Sequence, residues 1–167
     1  NELGEMKPSY DTAFLELVDA DARGIGDLVV TTLTNDYMPL LRYRIGDLAK
    51  KHVAPYGNHF TVHGRVRDAL TATDGQRVTT WQVDRCFAEA HGIAHYELRQ
   101  GESGVCTLRF VPDGSGPTEE TLHDIAAQLQ ALLQLPGEIK AEAMPVLVPA
   151  ASGKFRLTCR VSANAVA

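Results

Sequence analysis

Thr118-Glu119-Glu120-Thr121-Leu122-His123-Asp124-Ile125-Ala126-Ala127-Gln128-Leu129-Gln130-Ala131-Leu132-Leu133-Gln134-Leu135 is the stretch that decides the fold. Leu122, Ile125, Ala126, Leu129, Leu132 and Leu133 recur three and four residues apart, which puts them on one face of a helix. Pro136-Gly137 ends it. Just upstream lie two runs that read as strands, residues 96–100 and 105–111, joined by Gly101-Glu102-Ser103-Gly104. Downstream, residues 139–144 read as one more strand. A proline-bracketed segment follows, and then the tail Ser152-Gly153-Lys154-Phe155-Arg156.

Further back, Thr79 followed by Gln82 fits a capping box. Val83, Cys86, Phe87 and Ala90 continue at helical spacing, with Gly92 as the stop. Asp74-Gly75 is a two-residue hairpin signal after a short strand at 69–73. The order from about residue 66 is hairpin, helix, two strands, helix, strand, tail. This predicts an α+β layer: a short, mostly antiparallel sheet with two or three helices on one face.

The first 65 residues carry strand signals only. Strands are expected at 13–18, at 26–34 with its β-branched run, at 40–45 with arginines alternating with apolar residues, and at 60–63. Gly46-Asp47 is expected to close the third of these and turn the chain. This β-rich region looks incomplete by itself, so the expected division is 1–65 and 66–167, with the boundary at Gly64–Asp68.

With 44% hydrophobic and 22% charged residues, the composition is that of a globular protein able to bury a core. A net charge of −5 argues against nucleic-acid or anionic-membrane partners, which need a basic face. No apolar run approaches the roughly 18–20 residues that span a bilayer, and Asn1-Glu2-Leu3-Gly4-Glu5 is no signal peptide. Cys86, Cys106 and Cys159 are odd in number and far apart, and no histidine is spaced for zinc. Reduced thiols in a cytoplasmic protein are the simplest account, with no metal site. A catalytic cysteine is the lesser alternative.

Taken singly, the polar clusters are weak. Asp47 reads as a solvated turn residue. Arg42, Arg44, Arg65, Arg67 and Arg77 read as surface charges, and Lys154 as a flexible surface lysine. Their order changes the reading. Gly26-Asp27-Leu28, then Arg42-Tyr43-Arg44-Ile45-Gly46-Asp47, then Gly64-Arg65-Val66-Arg67-Asp68, then Ser152-Gly153-Lys154-Phe155-Arg156 resembles the C-terminal signatures of acyl-adenylate-forming enzymes. Those are the acyl-CoA synthetases, peptide-synthetase adenylation domains and luciferases. The likeness runs over roughly residues 13–161. Within that superfamily, residues 28–47 and the dipeptide His95-Tyr96 are most similar to the phenylacetate–CoA ligase branch.

The resemblance implies a two-step, ATP-dependent ligase that acts on an aryl or arylacetic acid. A carboxylate joins the α-phosphate of ATP and expels pyrophosphate; the acyl group then passes to the thiol of coenzyme A or of a phosphopantetheine carrier. By the same resemblance Lys154 is the catalytic cation, suited to bringing two anions together. Asp47 accepts the ribose hydroxyls. Arg65 and Arg77 contact the nucleotide, and Mg²⁺ balances the triphosphate with no dedicated cage in this sequence.

Arg67 and Asp68 form the hinge on which the lid turns between steps. Two departures stand out: Arg67 where the family usually carries an acid or a lysine, and one extra residue near 73–76. The phosphate loop, the adenine loop and most of the acid pocket belong to a large N-terminal domain that this sequence lacks. The chain is therefore expected to be inactive alone and to be an excised piece rather than half of a split protein. It would have the missing domain and a small carboxylic acid as partners, and exposed strands able to self-associate as a homodimer. Two readings of other classes stay open: a degenerate homologue acting as a docking module, and a ferredoxin-like small-ligand sensor with a pocket between its helices.

Overall fold

The computed structural model describes residues 5–55, 57–150 and 153–161. The backbone divides into two compact units, Asn1–Arg67 and Asp68–Ala167.

The first unit is a five-stranded sheet in the order β1-β5-β4-β3-β2, every neighbouring pair antiparallel. Its strands are β1 (Glu5–Met6), β2 (Ala13–Val18), β3 (Ile25–Thr32), β4 (Tyr43–His52) and β5 (His59–Arg65). The strand at 13–18 appears as expected, and the β-branched run forms a strand at Ile25–Thr32 rather than 26–34. The third strand differs more. It begins at Tyr43 rather than residue 40 and continues to His52, so Gly46-Asp47 lies inside β4 instead of closing it. Gly46 takes φ 82°, a left-handed value that costs glycine little. The strand register shifts just beyond, between Leu48 and Ala49, so the chain kinks without leaving the sheet. Leu28, Ala49 and Phe60 form a buried cluster, with Leu15, Leu17 and Ile45 packed against it.

The second unit holds the α+β layer. Its main sheet has the order β10-β9-β8-β11, formed by β8 (Ile93–Gly101), β9 (Cys106–Pro112), β10 (Lys140–Ala143) and β11 (Thr158–Val161). The central pair β8–β9 is antiparallel, while the two edge strands join it in parallel. Each edge strand arrives by a crossover: α2 (Glu119–Leu133) leads to β10, and the tail carries the chain back to β11. The strand at 158–161 was not expected from the sequence.

A small hairpin of β6 (Leu70–Thr71) and β7 (Arg77–Val78) precedes the sheet. Its loop is longer than the two residues that Asp74-Gly75 suggested. Gly75 N donates to Ala72 O and Ala72 N to Gln76 O, so Thr73-Asp74-Gly75 makes a three-residue loop with Gly75 at φ 84°.

The first helix, α1 (Thr80–Arg85), starts at the expected capping box: Thr79 accepts from Gln82 N, and the Gln82 side chain returns to Thr79 N. It is shorter than its pattern, because residues 86–90 continue as tighter i→i+3 turns. α2 is capped by Thr118 and stops at Gln134, whose φ of 54° ends the helical path before Pro136.

Strand alternation builds the core. Tyr96 and Leu98 point the same way along β8 and sit opposite Phe110 and Leu108 of β9. Ile125, Leu129 and Leu133 of α2, with Val83 of α1, close over them. Leu98, Leu108 and Leu129 are fully buried. Leu129→Ala should cost about 2–5 kcal/mol in urea denaturation, the range for a buried leucine truncated in a packed core.

In the first unit His63 is buried, and desolvation holds its pKa below the ordinary value, helped by the charges of Lys50, Arg23 and His52 and opposed by Asp21. A depressed folded-state value means that the unfolded chain binds the proton first as pH falls. Stability of this unit should decline as pH drops below 6.5, and His63→Leu should flatten that slope in denaturation curves taken across pH 5–8.

Candidate functional site

The polar residues singled out in the sequence fall into one group on each unit. In the first, β4 and β5 run antiparallel with Asp47 directly opposite Arg65. Arg65 Nε lies 2.9 Å from Asp47 Oδ1, and Arg65 Nη1 donates to Ile45 O at 3.1 Å. The guanidinium therefore spans the Gly46 kink, touching the chain on both sides of it. The pair is open to solvent, with side-chain exposures of 50% for Arg65 and 21% for Asp47. Among the described residues no other group bonds Asp47 Oδ2 or the remaining Arg65 donors. A free carboxylate oxygen beside a partly engaged guanidinium suits a ligand carrying hydroxyls next to an anion.

The other two arginines of this block have structural work. Arg44 reaches Asp27 at 2.5 Å and Asp19 at 2.6 Å, and these carboxylates raise its pKa further. Arg42 pairs with Glu16 at 3.2 Å, across to β2. They tie the start of β4 to β3 and to the end of β2, while Asp47 and Arg65 pair with each other across β4 and β5. Asp27 belongs to the first signature block, but its pairing with Arg44, like the roles of Asp19 and Glu16, was not foreseen in the sequence, because nothing local marks an acid fifteen or more residues away as the mate of a given arginine.

The boundary motif forms a single 3-10 turn, Val66–Asp68. Arg67, exposed, ends the first unit and Asp68 begins the second. Arg77 lies half-buried on β7, opposite Thr71.

Lys154 belongs to the second unit. Ser152, the first residue of its motif, lies outside the described residues. Gly153 N donates to Ala150 O, and Ala150 N to Lys154 O, so Ala150 is bonded to both residues, with Gly153 at φ 73°. Lys154 is exposed, and its ammonium meets no acceptor among the described residues. Directly after it the chain is held fast. Leu98 N donates to Leu157 O at 2.8 Å, and Thr158 and Cys159 are buried in β11. An exposed, unengaged ammonium on an anchored base is suited to meeting an anion.

Beside this tail, the outer face of the sheet and residues 147–150 and 155–157 enclose a cavity of about 320 Å³. His95, Glu97, Arg99, Phe155, Arg156 and Cys159 contribute to its walls. The three cysteines are free thiols, and burial raises the pKa of each, Cys106 to about 11, so none is disposed to act as a nucleophile.

Among the described residues no group of three or more histidines, cysteines and carboxylates could hold a metal ion. None of their helices is long and apolar enough to cross a membrane.

The fold is similar to that of solved acid–CoA ligases. A 2-hydroxyisobutyryl-CoA ligase with a bound acyl-adenylate matches 92% of this chain at a TM-score of 0.66 and 18% identity, over 36% of its own length. O-succinylbenzoate coenzyme A synthetase from Bacillus subtilis, in complex with AMP, matches 91% at 0.61 and 16% identity, over 34% of its length. An anthranilate CoA ligase in complex with anthranoyl-AMP matches 90% at 0.59 and 17% identity, over 32%. The chain thus spans about a third of the length of these ligases, and at these identities the likeness is one of fold. No family model matches the chain, and no curated protein matches it in sequence.

An exposed ion pair contributes little to folding, because water screens it and its side chains lose freedom. Asp47→Asn and Arg65→Ala should each change the unfolding free energy by about 1 kcal/mol or less. A loss several times larger would mark the pair as a structural tie rather than a site held open for a ligand.

Proposed function

We propose that the chain is the C-terminal portion of an ATP-dependent carboxylic acid–CoA ligase. Residues 1–65 are the last strands of its large adenylation domain and 66–167 its mobile lid. The observation that carries this reading is the accessible Asp47–Arg65 pair, formed by two of the four signature blocks on a fold shared with acid–CoA ligases. In the first step the substrate carboxylate attacks the α-phosphate of ATP, forming an acyl-adenylate and releasing pyrophosphate. In the second the acyl carbon passes to a thiol, that of coenzyme A or of a phosphopantetheine carrier, with AMP leaving.

Asp47 accepts the ribose hydroxyls on its free oxygen. Arg65 offers its unused donors to phosphate, and Arg77 acts as a second phosphate contact. Lys154 supplies the positive charge that lowers the repulsion between carboxylate and phosphate as they meet. Mg²⁺, bound with the nucleotide, would neutralise the triphosphate. The lid turns at Arg67 and Asp68 to exchange the first chemistry for the second.

The similarity of residues 28–47 to the phenylacetate–CoA ligase branch favours an aryl or arylacetic acid. The free cysteines favour a reducing, cytoplasmic setting. The first unit leaves Phe14, Leu33, Tyr37, Met38, Leu41 and Tyr43 exposed, an apolar set suited to cover by the remainder of a large domain. Without that remainder the chain is expected to be inactive. Arg67 at the pivot favours one second reading, a degenerate homologue that docks without catalysing. A small-ligand sensor is disfavoured, since the cavity between the end of α1 and α2 is only about 130 Å³, below the size of ordinary ligand pockets.

The test uses the longest natural polypeptide that contains these residues, with ATP, Mg²⁺ and a panel of aryl acids. Acid-dependent pyrophosphate release should fall about 10²–10³-fold on Lys154→Ala, the scale for losing one preorganised charge-stabilising group. Thioester formation from preformed acyl-adenylate should be spared. Equal losses in both steps, or no loss in either, would refute the role of Lys154.

A further inference from the structure

The residues that tie the start of the second unit to its core are the ones that follow Lys154. Asp68 is the first residue of that unit. Its carbonyl accepts from Thr158 Oγ1 at 2.7 Å, and its carboxylate faces Arg156 Nε at 3.5 Å. The Thr158 hydroxyl also meets that of Thr80, 2.7 Å away, at the first residue of α1. Three residues beyond Asp68, the Gln100 side chain takes both backbone groups of Thr71, accepting from its N–H at 2.8 Å and donating to its carbonyl at 2.7 Å. Residues 68–71 are thus bound to β8 and β11 by side chains standing in for a missing strand partner.

The Asp68–Arg156 pair differs from the exposed pairs of the first unit. Its side chains are 14% and 30% exposed, so water screens it less. The 3.5 Å contact is an ion pair, too long for a hydrogen bond, and together with the carbonyl bond to Thr158 it restricts rotation about the Asp68 Cα–C bond, since such a turn would pull the carbonyl or the carboxylate away from its mate. Rotation about bonds before the Asp68 Cα disturbs neither. Arg156 is two residues from Lys154, and the intervening Phe155 is exposed on the wall of the neighbouring cavity.

We propose that Arg156 is a positioning residue: its pair with Asp68 sets the reach of Lys154 from the pivot and confines the pivot to bonds preceding the Asp68 Cα. This rests on the ligase reading for its chemical consequence, while the latch itself is a property of the second unit. The hinge assigned to Arg67 and Asp68 then separates into two roles. Arg67 turns, and Asp68 is the first fixed residue of the lid, carrying the setting of the hinge to the lysine tail.

The experiment compares Arg156→Ala, Arg156→Lys, Asp68→Asn and the double variant Arg156→Ala/Asp68→Asn in the same full-length polypeptide. Arg156→Ala should lower kcat for acid-dependent pyrophosphate release about tenfold with KM for ATP unchanged, since it removes alignment rather than binding. Thioester formation from preformed acyl-adenylate should stay within about twofold, and Arg156→Lys should recover some of the loss. The double variant should be no worse than the poorer single, because both remove one interaction. Backbone hydrogen exchange supplies a readout free of the chemistry: in Arg156→Ala, residues 68–71 and 153–157 should exchange faster together.

Unchanged exchange in either segment, additive losses in the double variant, or equal losses in both half-reactions would overturn the latch. If Lys154→Ala leaves pyrophosphate release intact, or the parent releases none, the ligase reading fails instead, and hydrogen exchange still decides the latch.

Discussion

In the second unit everything rests on the two-residue period of β8. Tyr96, Leu98 and Gln100 point inward, and Glu97 and Arg99 point out. The inward set does two jobs. Tyr96 and Leu98 meet Phe110 and Leu108 and receive α2, which supplies the apolar burial that this small unit needs. Gln100 continues the same row but is polar, and it is satisfied by the backbone of Thr71 rather than by water. One alternation thereby fixes both the core and the attachment of the hairpin that begins the unit. A shift of register by one residue would bury Glu97 and Arg99 and expose Leu98, so the register has little freedom.

The first unit obeys a different constraint. Arg44 is shared between Asp19 and Asp27 and Arg42 pairs with Glu16, while Arg65 meets Asp47 and Ile45 O and keeps further donors unused. Gly46 makes this possible, because its left-handed backbone kinks β4 and brings Ile45 O within reach of Arg65 while Asp47 faces the same guanidinium. An alanine there would adopt that φ only with strain. The accessible carboxylate and guanidinium are thus products of a local distortion in an otherwise regular sheet.

The lysine tail and the start of the second unit share a further constraint. Both are held by β11, a strand whose four residues contain no apolar run. Its place at the sheet edge depends on parallel pairing with β8, and Thr158 there bonds both Asp68 and Thr80. Anchoring and exposure therefore alternate along a few residues. Gly153 and Lys154 are exposed, while Leu157 through Cys159 are bound into the sheet.

The helix at 118–135, the capping box at Thr79 and Gln82, the central strand pair and the strands at 13–18 and 60–63 were legible because each is written in local periodicity or in residues three apart. Asp47, Arg65 and Lys154 stood out through the order of their motifs. The sequence alone did not reveal that β4 runs on past Gly46-Asp47, that 158–161 forms a strand, or that Arg42 and Arg44 are occupied. Nor did it reveal that Gln100 bonds the backbone of Thr71 or that Arg156 pairs with Asp68. Each of these depends on a partner far along the chain: Arg65 for Asp47, Leu98 for Thr158, Asp68 for Arg156. Periodicity reports which face of an element is apolar; it carries no information on which distant element will lie beside it. That choice is made only when burial of the two cores brings those partners together.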